Sequence, residues 1–355
     1  MKARVLVPLN IRTGRPEILP DNNTGNRYYA EGDVIEIEKL VIGDTYKDNN
    51  AWYKLSDGGF VWSGGVEKIS VNELSREKQF EFKEEKLLWP IKKFQINNIW
   101  PFSLGEGITV AILDTGIDIS HPELKNSILD GYNFFEKSND YMDFDGHGTR
   151  CAGIIAASGL FDVVGVSPKC KLLIAKIKNS QSSGVNENTL INALEWAIGK
   201  ADIISFSGGK PEDLPGIKDA IDKVEKNNIV IVSAIGNQNS ANTNQGDYPA
   251  KYNNVISVGS VNENLNLSPF TIRYDQLTIV APGENIKTTD LNKAYSISSG
   301  TSMATPFVAG LIALYKSVHK NIEPSQIKQK LIQACDKKTD LSYNYNLINP
   351  KKFML

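Results

Sequence analysis

From about residue 90 onward the chain carries apolar runs of strand length separated by stretches with helical period. Residues 108–113 (Ile-Thr-Val-Ala-Ile-Leu), 172–177 (Leu-Leu-Ile-Ala-Lys-Ile), 229–234 (Ile-Val-Ile-Val-Ser-Ala) and 255–258 (Val-Ile-Ser-Val) are close to continuously apolar. Between the second and third runs, Leu190, Ile191, Leu194, Ala197 and Ile198 mark one face of a helix. Strands that are apolar on both sides are covered on both sides. Their alternation with helices builds an α/β fold with a mostly parallel sheet and helices on both faces. In such sheets chemistry is placed beyond the carboxyl ends of the strands.

Residues 1–70 read differently. Short β-rich runs (residues 3–7, 34–38, 52–55 and 60–62) are punctuated by Gly14, Pro16, Pro20, Gly25, Gly32 and the turn Ser56-Asp57-Gly58-Gly59. Several short strands at this spacing suggest a small all-β barrel. The pattern Leu9-Asn10-Ile11-Arg12, then Glu31-Gly32-Asp33, then Trp52 before a Gly-rich turn resembles bacterial SH3-like domains. Residues 71–88 mix Glu73, Arg76, Glu77, Lys78, Glu81, Lys83, Glu84, Glu85 and Lys86 with Leu74, Phe80, Phe82, Leu87 and Leu88. They read as a charged linker or helix, solvated or strapped over the next domain. The expected organisation is a module over 1–70, a linker over 71–88 and an α/β domain over 89–355.

Lys and Arg number 39 against 41 Asp and Glu, a net charge of −2. That balance argues against a general nucleic-acid binder. Three Cys do not make a disulfide framework. The N-terminal apolar run is too short for a signal peptide, and no run approaches the roughly 20 residues of a membrane span. The chain is expected to be soluble and cytoplasmic, or secreted if an upstream leader has been removed.

Three segments carry chemistry. Asp114 follows the strand over 108–113, in Asp114-Thr115-Gly116-Ile117-Asp118; taken alone it is equally a turn aspartate. His147 lies in Asp145-Gly146-His147-Gly148-Thr149-Arg150-Cys151-Ala152-Gly153; taken alone it is equally a loop histidine. Ser302 lies in Gly300-Thr301-Ser302-Met303-Ala304-Thr305-Pro306, before the apolar helix pattern Phe307, Val308, Leu311, Ile312, Leu314, Tyr315. That position puts it at a helix N-terminus, as a plain cap or where free amides stabilise an anion. Pro306 fits early in a helix, where a missing amide costs little. A nucleophilic Ser needs a base, and the base an orienting carboxylate.

Read together, the order Asp, His, Ser and these three motifs resemble the active-site motifs of the subtilisin-like serine proteases, over roughly residues 89–349. The resemblance extends to Tyr248-Pro249-Ala250 and Ala281-Pro282-Gly283. It implies Ser302 as nucleophile, His147 as general base and then acid, and Asp114 as the orienting carboxylate. Ser233-Ala234-Ile235-Gly236-Asn237 is similar to the family's oxyanion segment, which implies an Asn237 side chain donating to the tetrahedral oxygen. Ser183, Gly184 and Val185, with Ser207, Gly208 and Gly209, match the segments that hold an extended peptide by strand addition. Gly208 replaces a larger apolar residue, which predicts a roomier pocket wall. Asp247 falls at the base of the first specificity pocket, where a carboxylate favours Lys or Arg at P1.

The sequence also departs from the pattern. Arg150-Cys151 resembles the proprotein-convertase version and puts a thiol beside the histidine, either a small buried hydrophobe or a site for thiol reagents or mercury. No cofactor is required. The calcium that family members often bind is weakly supported, because the loop Ser158-Gly159-Leu160-Phe161-Asp162-Val163 lacks Asn and Glu123 stands where an Asp is usual. His121 reads as structural and His319 as a surface residue. The expected function is a serine endopeptidase for limited processing of a protein or precursor peptide, of the kind intracellular leader peptidases perform, with the SH3-like module recruiting substrate. The alternatives are a catalytically silent binding protein and a broad scavenging protease.

Overall fold

The structure is a computed structural model. It describes the backbone of residues 2–5, 9–12, 23–29, 34–46, 49–55, 60–62 and 66–68, with the side chains of Ile37, Trp52–Leu55, Phe60 and Val61. It describes residues 87–180, 184–238, 245–340 and 343–354 in full. The chain divides into two compact units, Met1–Glu81 and Phe82–Leu355.

The N-terminal unit contains β1 (Lys2–Val5), β2 (Leu9–Arg12), β3 (Asn23–Tyr29), β4 (Val34–Tyr46), β5 (Asn49–Leu55), β6 (Phe60–Trp62) and β7 (Val66–Lys68). They pair antiparallel in the order β3-β2-β6-β5-β4-β1-β7. Ile37, Trp52, Tyr53, Leu55, Phe60 and Val61 are buried within it. The expected linker lies outside the described residues up to position 86.

The larger unit begins with α1 (Trp89–Lys93), then β8 (Thr109–Asp114), β9 (Ile128–Asn133), α2 (His147–Ala156), β10 (Lys171–Lys176), α3 (Glu187–Trp196), β11 (Ile203–Phe206) and α4 (Pro215–Lys226). It continues with β12 (Val230–Ala234), β13 (Ile256–Val261), β14 (Ile279–Pro282), the hairpin β15 (Ile286–Thr289) and β16 (Tyr295–Ser298), α5 (Thr301–Val318), α6 (Pro324–Ala334), β17 (Asp336–Asp340), β18 (Tyr343–Leu347) and α7 (Pro350–Met354). Nine strands form one sheet in the order β17-β18-β14-β13-β12-β11-β8-β10-β9, parallel throughout except for the β17–β18 pair. This is the α/β architecture expected from the apolar runs.

Those runs are continuous because each strand feeds two cores. Along β8, Val110 and Ile112 join the core beneath α2 and α5, while Ala111 and Leu113 join the one beneath α3 and α4. β10 alternates in the same way, Leu172 and Ile174 to one side and Leu173 and Ala175 to the other. α5 runs through the first core and is buried along nearly all of its length, as a helix apolar on every face must be. The sheet order reverses at β8, which lies between β11 and β10 although both follow it in the chain. That is the topological switch point, where a parallel sheet opens a crevice at its carboxyl edge.

Candidate active site

Asp114 is the last residue of β8, at the switch point, and is 1% exposed. His147 is the first residue of α2. Two glycines let this helix start there. Gly146 caps it with φ 95°, in the left-handed region. At Gly148 a Cβ would stand 2.1 Å from the Gly116 carbonyl oxygen, so only glycine lets the helix approach the end of β8 this closely. Asp143, which the motif reading passed over, ties the turn down. Its carboxylate accepts from the amides of Asp145, Gly146 and Thr149 at 2.9–3.0 Å and from the Thr149 hydroxyl at 2.7 Å. An Asp four residues before the first residue of a helix, three before its cap, is a legible signal.

The result is a buried pair: His147 Nδ1 lies 2.7 Å from Asp114 Oδ1, which also accepts the Thr115 amide at 2.8 Å. Burial works against charge on both groups. On His147 the Asp114 carboxylate's charge and hydrogen bond outweigh it and hold the imidazole above its ordinary range. On Asp114 the charges of His147 and Lys178 outweigh it and hold the carboxyl below its ordinary range. Among the described residues, His147 Nε2 has no hydrogen-bond partner.

Ser302 is the second residue of α5, so this helix starts six residues before the apolar pattern that announced it. Pro306 therefore lies inside the helix rather than at its edge. With no amide, it leaves the carbonyl of Ser302, four residues earlier, without its helical partner. Two side chains take that carbonyl instead, Ser207 Oγ at 2.9 Å and Cys151 Sγ at 3.5 Å. Cys151 is fully buried, and its Sγ is also 4.0 Å from His147 Nδ1. The nucleophile candidate and the base candidate are thus gripped by a shared neighbour one turn along α2.

Asn237 follows β12 and is exposed. Its Oδ1 accepts both the Thr301 amide and the Thr301 hydroxyl at 3.0 Å. With the oxygen fixed, the Nδ2 amide turns toward Gly300. A Cβ there would lie 3.4 Å from Asn237 Nδ2 and 2.8 Å from Ser302 Oγ, so donor and hydroxyl border the same small space. Thr301 was not singled out by sequence. Its side chain and amide act jointly, and only the hydroxyl is visible in a residue name.

The segments expected to hold a peptide are partly assembled. Ser183 lies outside the described residues. Gly184 faces open space, and Val185 packs against the α3–α4 core. Ser207, Gly208 and Gly209 follow β11, and the next residue, Lys210, exchanges backbone hydrogen bonds with Tyr248. Asp247 is wedged between two glycines: a Cβ on Gly209 would be 2.7 Å from its Cβ, and one on Gly236 would be 2.4 Å from its Oδ2. Its carboxylate therefore stands beside the Asn237 segment. Gly208 does not leave a roomier wall. The Phe206 ring and the Lys178 ammonium close in on it, 3.1 and 3.9 Å from where a Cβ would sit.

The remaining histidines take no part. His121 Nδ1 accepts the Glu123 amide and Nε2 bonds the Ala294 carbonyl, while His319 is exposed at the end of α5. The residues at the expected calcium position do not fit a cation. Glu123 Oε1 accepts the amides of Phe161, Asp162 and Val163, and Oε2 accepts the Leu160 amide and the Ser158 hydroxyl. The loop turns its N–H groups inward, where a calcium site needs oxygens. Among the described residues, the one group of three metal-ligand side chains within reach of each other is Asp114, His147 and Cys151.

The Subtilase family profile matches residues 105–347. The major intracellular serine protease of Bacillus subtilis (strain 168) is 40% identical over 253 residues, covering 69% of this chain and 78% of that protein. The intracellular serine protease of Paenibacillus polymyxa is 41% identical over 236 residues, 64% of this chain and 72% of the relative. Subtilisin DY of Bacillus licheniformis is 36% identical over 249 residues, 69% and 90% respectively. A switch-point aspartate bonded to a helix-starting histidine, with a serine opening the next buried helix, agrees with that match: the chain belongs to the subtilase family and is a subtilisin-type serine endopeptidase.

Proposed function

We propose that the chain hydrolyses peptide bonds through Ser302, His147 and Asp114 and cuts after Lys or Arg in a protein or precursor peptide. The observation that carries the reading is the buried 2.7 Å contact between Asp114 and His147, beside Ser302 at the start of α5. Asp114 accepts a hydrogen bond from the Nδ1–H, which leaves the lone pair on Nε2. Ser302 Oγ attacks the scissile carbonyl carbon as its proton passes to Nε2. Asp114 holds the imidazolium that results. The developing oxyanion meets the Asn237 Nδ2 amide and the Ser302 backbone amide, each such donor contributing about 3–4 kcal/mol. Collapse expels the amine, which takes the proton from Nε2, and water repeats the sequence on the acyl-enzyme. The free state has no Oγ–Nε2 hydrogen bond, a contact that tightens when substrate fills the cleft.

Asp247, between Gly209 and Gly236, supports a basic P1 preference through a charge-assisted contact. An extended peptide adds to the segment over 207–209. An SH3-like module over 1–70, joined by a linker over 71–88 to a catalytic domain over 89–355, recruits the substrate. The antiparallel N-terminal sheet with its buried Trp52, Phe60 and Val61 supports that assignment. A cytoplasmic site of action is supported by the two relatives described as intracellular. No helix among the described residues is long and apolar enough to cross a membrane. The reaction needs no cofactor.

The test is a fluorophosphonate label followed by peptides with Arg, Lys, Phe or Leu at P1. Folded wild type is expected to label and Ser302→Ala to stay unlabelled; an unlabelled, folded wild type overturns the triad reading. Arg and Lys peptides are expected to be cut fastest, with the advantage lost in Asp247→Gly. A preference for Phe or Leu overturns the Asp247 reading alone.

A further inference from the structure

Three lysines of the larger unit are almost wholly buried among the described residues: Lys176, Lys178 and Lys316. A buried ammonium is costly unless something accepts its protons. Lys176 is satisfied, its Nζ donating to the Met142 carbonyl at 2.6 Å and standing 4.6 Å over the Phe144 ring. Lys316 donates to the Asn228 carbonyl at 3.3 Å. Lys178, 4% exposed, makes no hydrogen bond or ion pair within 4 Å to any described residue, and its Nζ still reaches solvent.

Its position explains what it is for. The Ile177 amide bonds the Asp114 carbonyl at 2.9 Å, so the chain leaves β10 level with the end of β8 and Lys178 emerges beside the Asp114 carboxylate. On its other side the ammonium is 3.9 Å from the Cβ position of Gly208. It therefore lies on the side of the 207–209 segment that faces the end of β10. Asp114 is bonded to His147 and Thr115 through Oδ1, while its Oδ2 makes no hydrogen bond and feels the Lys178 charge only at a distance. Asp145 accepts the His147 amide and the Ser180 hydroxyl and faces the Arg150 guanidinium at 3.8 Å.

Neighbouring residues of the extended segment after β11 face opposite ways: Gly209 toward Asp247, Gly208 toward Lys178. A peptide lying alongside alternates its side chains in the same manner. If P1 enters the side of Asp247, the residue before it points to the side of Lys178. We propose that Lys178 is a specificity-determining residue that takes an acidic side chain at P2, so that the preferred site is Asp or Glu followed by Lys or Arg. The inference rests on the reading of the cleft given above. The two charges form a pair of opposite sign on opposite sides of one extended segment, which selects a substrate of alternating charge and repels a dibasic one.

The experiment uses the full chain and quenched peptides that are identical, with Arg at P1, except for Glu, Gln or Lys at P2. The enzymes are wild type, Lys178→Met and Lys178→Arg. In wild type, kcat/KM for Glu is expected to exceed that for Gln by about tenfold, the factor one hydrogen bond to a charged group supplies. Lys should fall below Gln. The Glu-to-Gln ratio should drop to near one in Lys178→Met and persist in Lys178→Arg. A ratio near one in wild type overturns the proposal, as does a ratio that survives in Lys178→Met. The P2 ratios are taken at fixed P1, so failure of the Asp247 reading shows only in the P1 series. Failure of the triad reading shows as no cleavage and no fluorophosphonate label on folded protein.

Discussion

Replacing Glu123 with Gln is a stringent test of how the 158–163 loop is held. The carboxylate is 1% exposed and serves four backbone amides and one hydroxyl, three amides on Oε1 at 2.8–3.3 Å and one amide at 3.1 Å with the Ser158 hydroxyl on Oε2. Gln has one acceptor oxygen. Placed at Oε1 it keeps three amides but loses the charge that strengthened them, a loss of about 0.5–1.5 kcal/mol. Its NH2 then faces the Leu160 amide, which is left unsatisfied at a cost of about 1–3 kcal/mol. The Ser158 hydroxyl can rotate to accept and costs little. The total is about 2–4 kcal/mol, and in a unit of this size about 2–4 °C is lost per kcal/mol, so Tm falls on the order of 10 °C. Calorimetry on a Ser302→Ala background, which removes self-digestion, reads this directly. Because Glu123 holds the loop by accepting amides, EDTA should leave the parent's Tm unchanged. A Glu123→Gln Tm within about 1 °C of the parent, or a parent Tm that falls in EDTA, would refute this account of the loop.

Other outcomes follow from the same geometry. His147 acts as a base only when neutral, and its pKa is raised by Asp114, so the acid limb of kcat/KM should lie above the ordinary histidine value of about 6.5; a limb at or below that value contradicts the pairing. Asn237→Leu should lower kcat by about 10²–10³ with little change in KM. Thr301→Val, which removes one of the two bonds fixing Asn237, should lower kcat by a smaller factor in the same direction; equal losses would mean that Thr301 does more than hold the amide. Cys151, Cys170 and Cys335 are all buried and unpaired, and burial pushes the thiols of Cys170 and Cys335 up to about 12. A bulky aromatic disulfide reagent should therefore titrate no thiol in the native protein and three in denaturant; one fast native thiol would place Cys151 within reach of solvent through the cleft.

The parts legible in the sequence are those where side-chain identity and local period carry the information. Apolar runs at 108–113 and 172–177 gave β8 and β10 to within a residue, because a sheet covered on both faces needs apolar residues at every position. Asp114, His147 and Ser302 could be placed on a strand end and two helix starts for the same local reasons. What stayed hidden depends on backbone groups or on pairs distant in the chain. Glu123 looked like a depleted cation ligand, since nothing in its name says that four amides turn toward it. Pro306 looked like an edge proline, because the compensating bonds come from Ser207 and Cys151. Gly208 looked like added space, because Phe206 two residues earlier folds its ring across the gap. Lys178 carries no signal in the sequence, and its place near Asp114 appears only once β8 and β10 lie side by side.

The order of the sheet also sets a timetable. β8 is flanked by β10 and β11, so its backbone has no partner on either side until residues 171–206 have been made. Ser302 follows Asp114 by 302 − 114 = 188 positions. At about 5–20 residues per second, translation needs about 10–40 s to pass from one to the other. Parallel pairing between distant segments is in addition slow to form. A ribosome-bound chain that stops just short of α5 carries the carboxylate, the imidazole and seven of the nine strands of the sheet, but not the proposed nucleophile. If Ser302 is the nucleophile, as proposed, hydrolysis waits until most of this unit has been synthesised.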